Sequence, residues 1–154
     1  DQVVDDIVSE SLRHIDRRSA EHHITVDCGD VPLLVRVDAG LIMQVLINLV
    51  NNAVKYTPAG SNIRITAIRR GNAAEICVSD DGPGIPDELK ERVFEMFFTG
   101  GNPIGDSRRS LGLGLTLCQA ILHAHNGEMT LKDNSPQGCI FSFTVPLSEV
   151  NLNE

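Results

Sequence analysis

Residues 48–58 read NLVNNAVKYTP and lie within the clearest helical pattern of the chain. Between Leu41 and Ala53, apolar residues recur at helical spacing, and Thr57-Pro58 interrupts the pattern. Asp38 stands where a helix N-cap is expected. The sequence therefore predicts a long amphipathic helix that begins just after Asp38 and stops at Thr57.

The same helix carries a polar stripe of four residues, Gln44, Asn48, Asn52 and Lys55. Their spacing places them on one side of the helix, opposite the apolar face. Asn is a poor helix former, so two Asn one turn apart favour a role beyond solvation. Amide oxygens can ligate Mg²⁺, and a Lys at the helix end can meet phosphate. Taken alone, the stripe leaves an ordinary solvated face as an open alternative.

Two glycine pairs offer further candidate ligand contacts. Residues 80–86, DDGPGIP, follow a strand-like run, and the Asp80 carboxylate could accept a hydrogen bond from the amine of adenine. Its glycines permit close approach of the backbone to a ligand. Residues 110–115, SLGLGL, open a predicted helix whose terminal amides could bind phosphate. Each motif alone is weak evidence for a ligand site, and an ordinary Asp-Gly turn also explains the first.

The remaining pattern alternates short strands with helices. We predict a first helix from about residue 3 to near residue 19, a short helix at 87–95 and a helix at 111–125. Residues 99–110 are basic and Gly-rich with few apolar side chains, which predicts a mobile loop. Strands are predicted at 24–28, 33–37, 62–70, 73–79, 129–132 and 139–145, with a hairpin turn at Gly71-Asn72. This order indicates an α/β two-layer sandwich.

Composition narrows the class of protein. The 154 residues are 42% apolar, which suits one domain with its own core. A net charge of -8 argues against nucleic acid as a partner. No apolar run approaches the roughly 20 residues of a membrane span, and no signal peptide is visible, so we expect a cytoplasmic chain. The four cysteines are widely separated, which predicts reduced thiols.

The order of four segments gives a more specific indication. NLVNNAVKYTP (48–58), DDGPGIP (80–86), FEMFF (94–98) and GLGL (112–115) resemble the four conserved boxes of the ATP-binding domain of bacterial sensor histidine kinases. The likeness covers nearly the whole chain, and residues 106–115 are most similar to the KdpD potassium-responsive kinases. It implies a mixed five-stranded sheet covered on one face by three helices, as in gyrase-like and heat-shock chaperone ATPases.

The resemblance also implies ATP and Mg²⁺ as cofactors. By that match Asn52 is the main Mg²⁺ ligand with Asn48 beside it, and Lys55 meets phosphate. The remaining nucleotide contacts are Tyr56, Asp80, Gly82, Gly84, Ile85, Leu111, Gly112, Leu113, Gly114 and Leu115. Tyr56 and Ile85 would flank the adenine, and a lid at about 99–111 would close over the nucleotide.

Other positions bear on catalysis. Arg108 and Arg109 are candidates for stabilising charge on the transferred phosphoryl group, although a solvated loop pair is an equal alternative. Asp81 stands where related kinases often have Asn, and it adds a second carboxylate near the nucleotide. Asn48 occupies the place of the water-activating Glu of related ATPases, and an amide cannot act as a general base. Phosphoryl transfer is therefore favoured over fast hydrolysis.

The acceptor histidine must come from elsewhere. His14 lacks the Pro that follows the phosphorylated His of the family, and the other histidines also lack its context. We therefore expect a single monomeric catalytic domain over residues 1–154, whose partners are the dimerisation and phosphotransfer domain of the full-length, membrane-anchored kinase and a response regulator. The alternatives are a non-enzymatic nucleotide-sensing module and a slow ATPase of the same fold.

Overall fold

The computed structural model of the chain describes residues 2–15, 20–30, 32–83, 106–135 and 137–148. The predicted short helix at 87–95, Gly84, Ile85 and residues 99–105 of the predicted lid lie outside these ranges. The described elements, in chain order, are β1 (Gln2–Val3), α1 (Val4–Leu12), β2 (His23–Asp27), β3 (Leu34–Val35), α2 (Ala39–Tyr56), β4 (Asn62–Arg70), β5 (Ala73–Asp80), α3 (Asp106–Ala124), β6 (Met129–Asp133) and β7 (Cys139–Pro146).

The main sheet has five strands in the order β2-β4-β5-β7-β6. β2 runs parallel to β4, whereas the other neighbours are antiparallel, so the sheet is mixed as predicted. The predicted hairpin is present: β4 and β5 pair up to Arg70 and Ala73, and Gly71 takes a positive φ of 58° in the turn. The predicted strand at 33–37 is shorter, Leu34–Val35, and it pairs with β1 in a separate two-stranded sheet.

Alternating burial along the strands explains the two layers. In β4, Ile63 and Ile65 are buried while Arg64 between them is exposed. The buried face packs under the apolar side of α2, where Leu46 and Leu49 are fully buried, and the three helices cover this face. The predicted sandwich of a five-stranded sheet and three helices is therefore confirmed. No helix within the described ranges has the length and apolar content of a membrane span.

α2 is the helix that the sequence predicted best. It ends at Tyr56, with Thr57 extended, and begins after Asp38, whose Oδ1 accepts a 3.1 Å hydrogen bond from the amide of Leu41. α1 ends at Leu12, earlier than the predicted boundary near residue 19. The continued apolar spacing to Ile15 gave too long a helix, because periodicity does not locate helix ends.

The start of α3 corrects the predicted loop. The helix begins at Asp106, five residues before the predicted start at Leu111, so Arg108 and Arg109 lie on helical backbone. The prediction relied on the scarcity of apolar residues before Leu111. A helix that is anchored by its packed turns can extend through polar residues, because each added residue gains a hydrogen bond.

Candidate functional site

The end of α2 and the end of β5 meet on one side of the molecule. Thr57, the first residue beyond α2, packs so closely on Gly82 that a Cβ at Gly82 would lie 2.5 Å from the Thr57 methyl carbon and 3.3 Å from Asp80 Oδ1. Only glycine fits here without displacing a neighbour. This contact brings the polar stripe of α2 and the Asp80 motif, which are distant in sequence, into one candidate site.

Asp80 is fixed at the buried end of β5, where only 8% of its surface is exposed. Its Oδ1 accepts hydrogen bonds from the amide of Gly82 at 3.0 Å and from the amide of Cys139 at 3.3 Å. Among the described residues, no hydrogen bond reaches Oδ2. Burial raises the pKa of this carboxyl, and the two backbone hydrogen bonds oppose the rise. The second oxygen remains as an acceptor for a ligand.

The turn between β6 and β7 donates hydrogen bonds to the backbone at the end of β5. Asn134 Nδ2 donates to the carbonyl of Asp80 at 2.8 Å, and Gln137 Nε2 donates to the carbonyl of Asp81 at 2.9 Å. Gly138 has a φ of 111°, and a Cβ there would collide with the carbonyl oxygen of Asp80. Sequence reasoning missed these residues, since they lie more than 50 positions beyond Asp80. In the sequence, Gly138 stands directly before the predicted strand at 139–145, and this position could have indicated the turn.

Asp81 faces the neighbouring strand. Its Oδ1 accepts from the backbone amide of Asn62, and its Oδ2 accepts from Asn62 Nδ2, both at 2.8 Å. These hydrogen bonds hold the pKa of the Asp81 carboxyl below its usual range. The second carboxylate expected near the nucleotide is thus engaged in anchoring the first residue of β4.

The polar stripe of α2 is only partly solvated. Gln44 is exposed, but Asn48, Asn52 and Lys55 are half-buried. Asn52 Nδ2 is buried without a hydrogen-bond partner among the described residues. An unpaired buried amide is costly, so such an atom indicates a position that a ligand or water completes. The two ends of an amide have nearly the same shape, and rotation would place Oδ1 there instead.

Asn48 lies on α2, near Cys118 of α3. Burial raises the pKa of the Cys118 thiol to about 12, and the nearby Asn48 side chain acts in the opposite direction. The Cys118 thiol donates to the carbonyl of Val45 on α2, at a sulfur–oxygen distance of 4.0 Å. Asn48 and Asn52 lie about one turn apart on α2, and the amide oxygen that each carries is a donor type that fits Mg²⁺.

The remaining predicted contacts divide into three groups. Tyr56 is the last residue of α2, but its side chain lies outside the described part, as do Gly84 and Ile85 altogether. Leu111 and Leu113 lie on the helical backbone of α3. Leu115 has no exposed surface and belongs to the hydrophobic core. Its side chain packs in the core and is therefore not available to contact a ligand.

Gly112 and Gly114 were expected to bind phosphate because the sequence placed them at the start of a helix. The structure shows that they do not lie at a helix N-terminus. α3 begins at Asp106, so the two glycines lie in its interior. Only the first four amides of a helix lack intrahelical acceptors. Their amides are therefore beyond the set that a helix end offers to phosphate.

Comparison with known proteins identifies the family. Residues 37–149 match the histidine kinase-, DNA gyrase B-, and HSP90-like ATPase family. The chain belongs to this family. Its match includes α2 with the polar stripe, Asp80 with Gly82, and α3. The family resemblance inferred from the four segments is thereby confirmed.

Sensor kinases are among the family members similar to this chain. The sensor protein KdpD of Clostridium acetobutylicum is 36% identical over 145 residues, which is 94% of this chain and 16% of that protein. The adaptive-response sensory kinase SasA of Rippkaea orientalis is 38% identical over 119 residues, 77% of this chain and 30% of that protein. The chain thus spans less than a third of these relatives.

Solved histidine kinase domains of this family have the same fold. The nucleotide-free catalytic domain of ThkA superposes with a TM-score of 0.79 at 30% identity, covering 93% of both chains. The mycobacterial sensor kinase MprB gives a TM-score of 0.80 at 25% identity over 95% of both chains. ThkA in complex with its response regulator TrrA gives 0.74 at 29% identity, covering 94% of this chain and 40% of that one.

Proposed function

We propose that this chain is the ATP-binding catalytic domain of a two-component sensor histidine kinase, and that it transfers the γ-phosphate of ATP to a histidine on a separate dimerisation domain. The observation that carries the proposal is Asp80. Its carboxylate is buried, held through Oδ1 by two backbone amides, and presents an oxygen to which no described residue donates. An acceptor fixed in this way suits the exocyclic amine of adenine.

The phosphates and the metal would lie along α2. Asn52 is the main proposed Mg²⁺ ligand, supported by its buried amide nitrogen, which has no hydrogen-bond partner in the described part of the chain. Asn48 is the second, and Lys55 meets phosphate one turn beyond Asn52. When bound, Mg²⁺ would neutralise phosphate charge and orient the γ-phosphate.

Residues flanking these groups complete the proposed nucleotide site. Tyr56 and Ile85 would contact the adenine ring, while Gly82 and Gly84 would let the backbone approach it. Arg108 and Arg109 lie near the start of α3 and would stabilise charge on the transferred group. Leu111 and Leu113 remain proposed nucleotide contacts on the same helix.

Transfer is favoured over hydrolysis by the chemistry of Asn48. Its amide cannot remove a proton from water. A neutral imidazole is already a nucleophile, so the domain needs only to position and neutralise the γ-phosphate. A regulatory module that binds ATP without transferring phosphate is the second candidate, because it would need the same adenine site.

The setting of this activity follows from the proposed reaction. The acceptor would be the dimerisation and phosphotransfer domain of the same kinase, and a response regulator would receive the phosphoryl group. The ThkA–TrrA complex shows that a related kinase assembles with a regulator. We place the domain in the cytoplasm, where ATP is available, and the similarity to KdpD suggests a response to potassium.

One experiment separates the two candidates. The chain is mixed with the acceptor-helix domain of its kinase and with ATP labelled on the γ-phosphate. A kinase labels the acceptor histidine, and replacing that histidine by Gln abolishes the label. If ATP binds but the acceptor stays unlabelled, the regulatory module is correct.

A further inference from the structure

His22 lies outside every motif of the nucleotide site but contacts Thr57, the first residue beyond α2. Its Nε2 is 2.9 Å from the hydroxyl of Thr57 and 3.3 Å from the Thr57 carbonyl oxygen. Thirty-five positions separate the two residues, so the contact joins the segment before β2 to the end of α2. Its partner Thr57 is also the residue that packs on Gly82.

The hydrogen bonds around Thr57 determine which atom donates. The Thr57 hydroxyl is 2.6 Å from the carbonyl of Ala53 and must donate its only hydrogen there, because a carbonyl only accepts. Towards His22, both the hydroxyl and the carbonyl of Thr57 can then act only as acceptors. Nε2 of His22 therefore carries a hydrogen and donates to Thr57.

These contacts complete the C-terminus of α2. The last carbonyls of a helix lack intrahelical donors, and here the Thr57 hydroxyl satisfies Ala53 while His22 donates to Thr57. The proposed ligand residues Asn52 and Lys55 lie in the last two turns before this cap. A displacement of Thr57 would move the helix end and also the surface against which Gly82 packs, one residue from the Asp80–Asp81 pair.

We propose that His22 is a positioning residue for nucleotide binding, acting through Thr57 to hold the end of α2 against the Asp80–Gly82 turn. This role rests on the proposed function, since it requires that the nucleotide lie between these two elements. His22 itself need not touch the nucleotide. Its neighbour His23 has an exposed side chain and provides a matched control.

The test is the affinity for Mg-ADP, measured by calorimetry on the 154-residue chain. We expect His22→Ala to weaken binding by about fivefold to tenfold, the range for loss of one hydrogen bond. His22→Gln places an amide N–H near the position of Nε2 and should stay within about twofold of the original chain. His23→Ala should bind as the original chain does.

A second variant makes the test independent of any folding defect in His22→Ala. Thr57→Val keeps the methyl that packs on Gly82 but removes the hydroxyl, which bonds both His22 and the Ala53 carbonyl, so its loss should be at least as large as that of His22→Ala. Combined, the two changes should weaken binding little more than Thr57→Val alone, because the contact between His22 and the Thr57 hydroxyl is lost in either variant. Additive losses, or a His22→Gln variant as weak as His22→Ala, would overturn the positioning role.

The outcome also distinguishes this inference from the proposed function. If the original chain does not bind Mg-ADP, the nucleotide site is wrong and His22 has nothing to position. If the original chain binds and His22→Ala binds equally well, only the role of His22 is rejected. Urea midpoints of all variants identify any that are not folded.

Discussion

The two ends of the proposed nucleotide site differ in how completely the protein satisfies them. At the adenine end, Asp80 receives two backbone hydrogen bonds and its carbonyl a third from Asn134. At the metal end, Asn52 keeps a buried amide nitrogen that has no partner within the described residues. One end is pre-organised by contacts within the protein, and the other has polar groups for a ligand to complete.

This difference predicts that the two ends of the site control different properties of nucleotide binding. A pre-organised acceptor costs little to order when the ligand binds, so the adenine end should set the affinity for the base. An unsatisfied amide gains its missing interaction only with the ligand, so the metal end should set the dependence on Mg²⁺. Four experiments test this comparison, in order of decreasing effect.

Gly138→Ala should have the largest effect of the four changes, because it disturbs the backbone of Asp80 at the adenine end. The added Cβ would collide with the carbonyl of Asp80, and the φ of 111° disfavours any side chain. We expect the free energy of unfolding in urea to fall by about 3 kcal/mol, from overpacking and backbone strain together. Gly29→Ala is the control, because Gly29 has a φ of 78° but open space around it. Its loss should be about 1 kcal/mol. Equal losses in both variants would refute the close contact.

Asp80→Asn should remove most of the affinity for adenine nucleotides. The variant keeps one oxygen for the amides of Gly82 and Cys139 but replaces Oδ2 by a nitrogen, which cannot accept from the adenine amine. Calorimetry with Mg-ADP should show about thirtyfold weaker binding, equivalent to about 2 kcal/mol. Asp81→Asn, one residue along, should retain its affinity, since that carboxylate bonds Asn62. Unchanged affinity in Asp80→Asn would remove Asp80 from the site.

Asn52→Ala should change metal dependence without unfolding the protein. Ala is the better helix former, and the amide nitrogen that it removes has no partner among the described residues. Affinity for ADP should fall by about tenfold with Mg²⁺ present and change little without it, as expected for loss of one ligand. Gln44→Ala alters the exposed start of the same stripe and should match the original chain. If Asn52→Ala keeps its Mg²⁺ response, Asn52 is not a ligand.

The two adjacent carboxylates should affect stability with opposite dependence on pH. The raised pKa of Asp80 means that the folded state favours its protonated form, so this contribution is lost as pH rises through the folded pKa. The lowered pKa of Asp81 means that its contribution is present above the ordinary carboxyl pKa and is lost as pH falls through the folded value.

Urea unfolding between about pH 3 and pH 7 measures this smallest effect. Relative to the original chain, Asp80→Asn should gain stability as pH rises, and Asp81→Asn should lose it. Slopes of the same sign would show that the two carboxylates do not differ in environment.

Much of the fold could be predicted from local pattern. The apolar spacing of α2, the breaks at Asp38 and Thr57-Pro58, and the glycine at the β4–β5 turn all depend on residues close in sequence. The start of α3 could not be predicted in this way. Residues 106–110 carry no apolar face, and their helical state depends on continuity with turns that are packed elsewhere in the fold.

The sequence by itself determined the family, and it supplied the groups that we propose for ligand binding, chiefly the Asn48–Asn52 stripe and Asp80. These are properties of short segments whose chemistry and spacing are visible in one dimension. Only the tertiary structure decided which of these groups are satisfied. Asp80 is held by Cys139 and Asn134, Asp81 by Asn62, and Thr57 by His22, and each partner comes from another part of the chain. Hydrogen bonds between distant segments follow from sheet order and packing, which residue spacing does not encode.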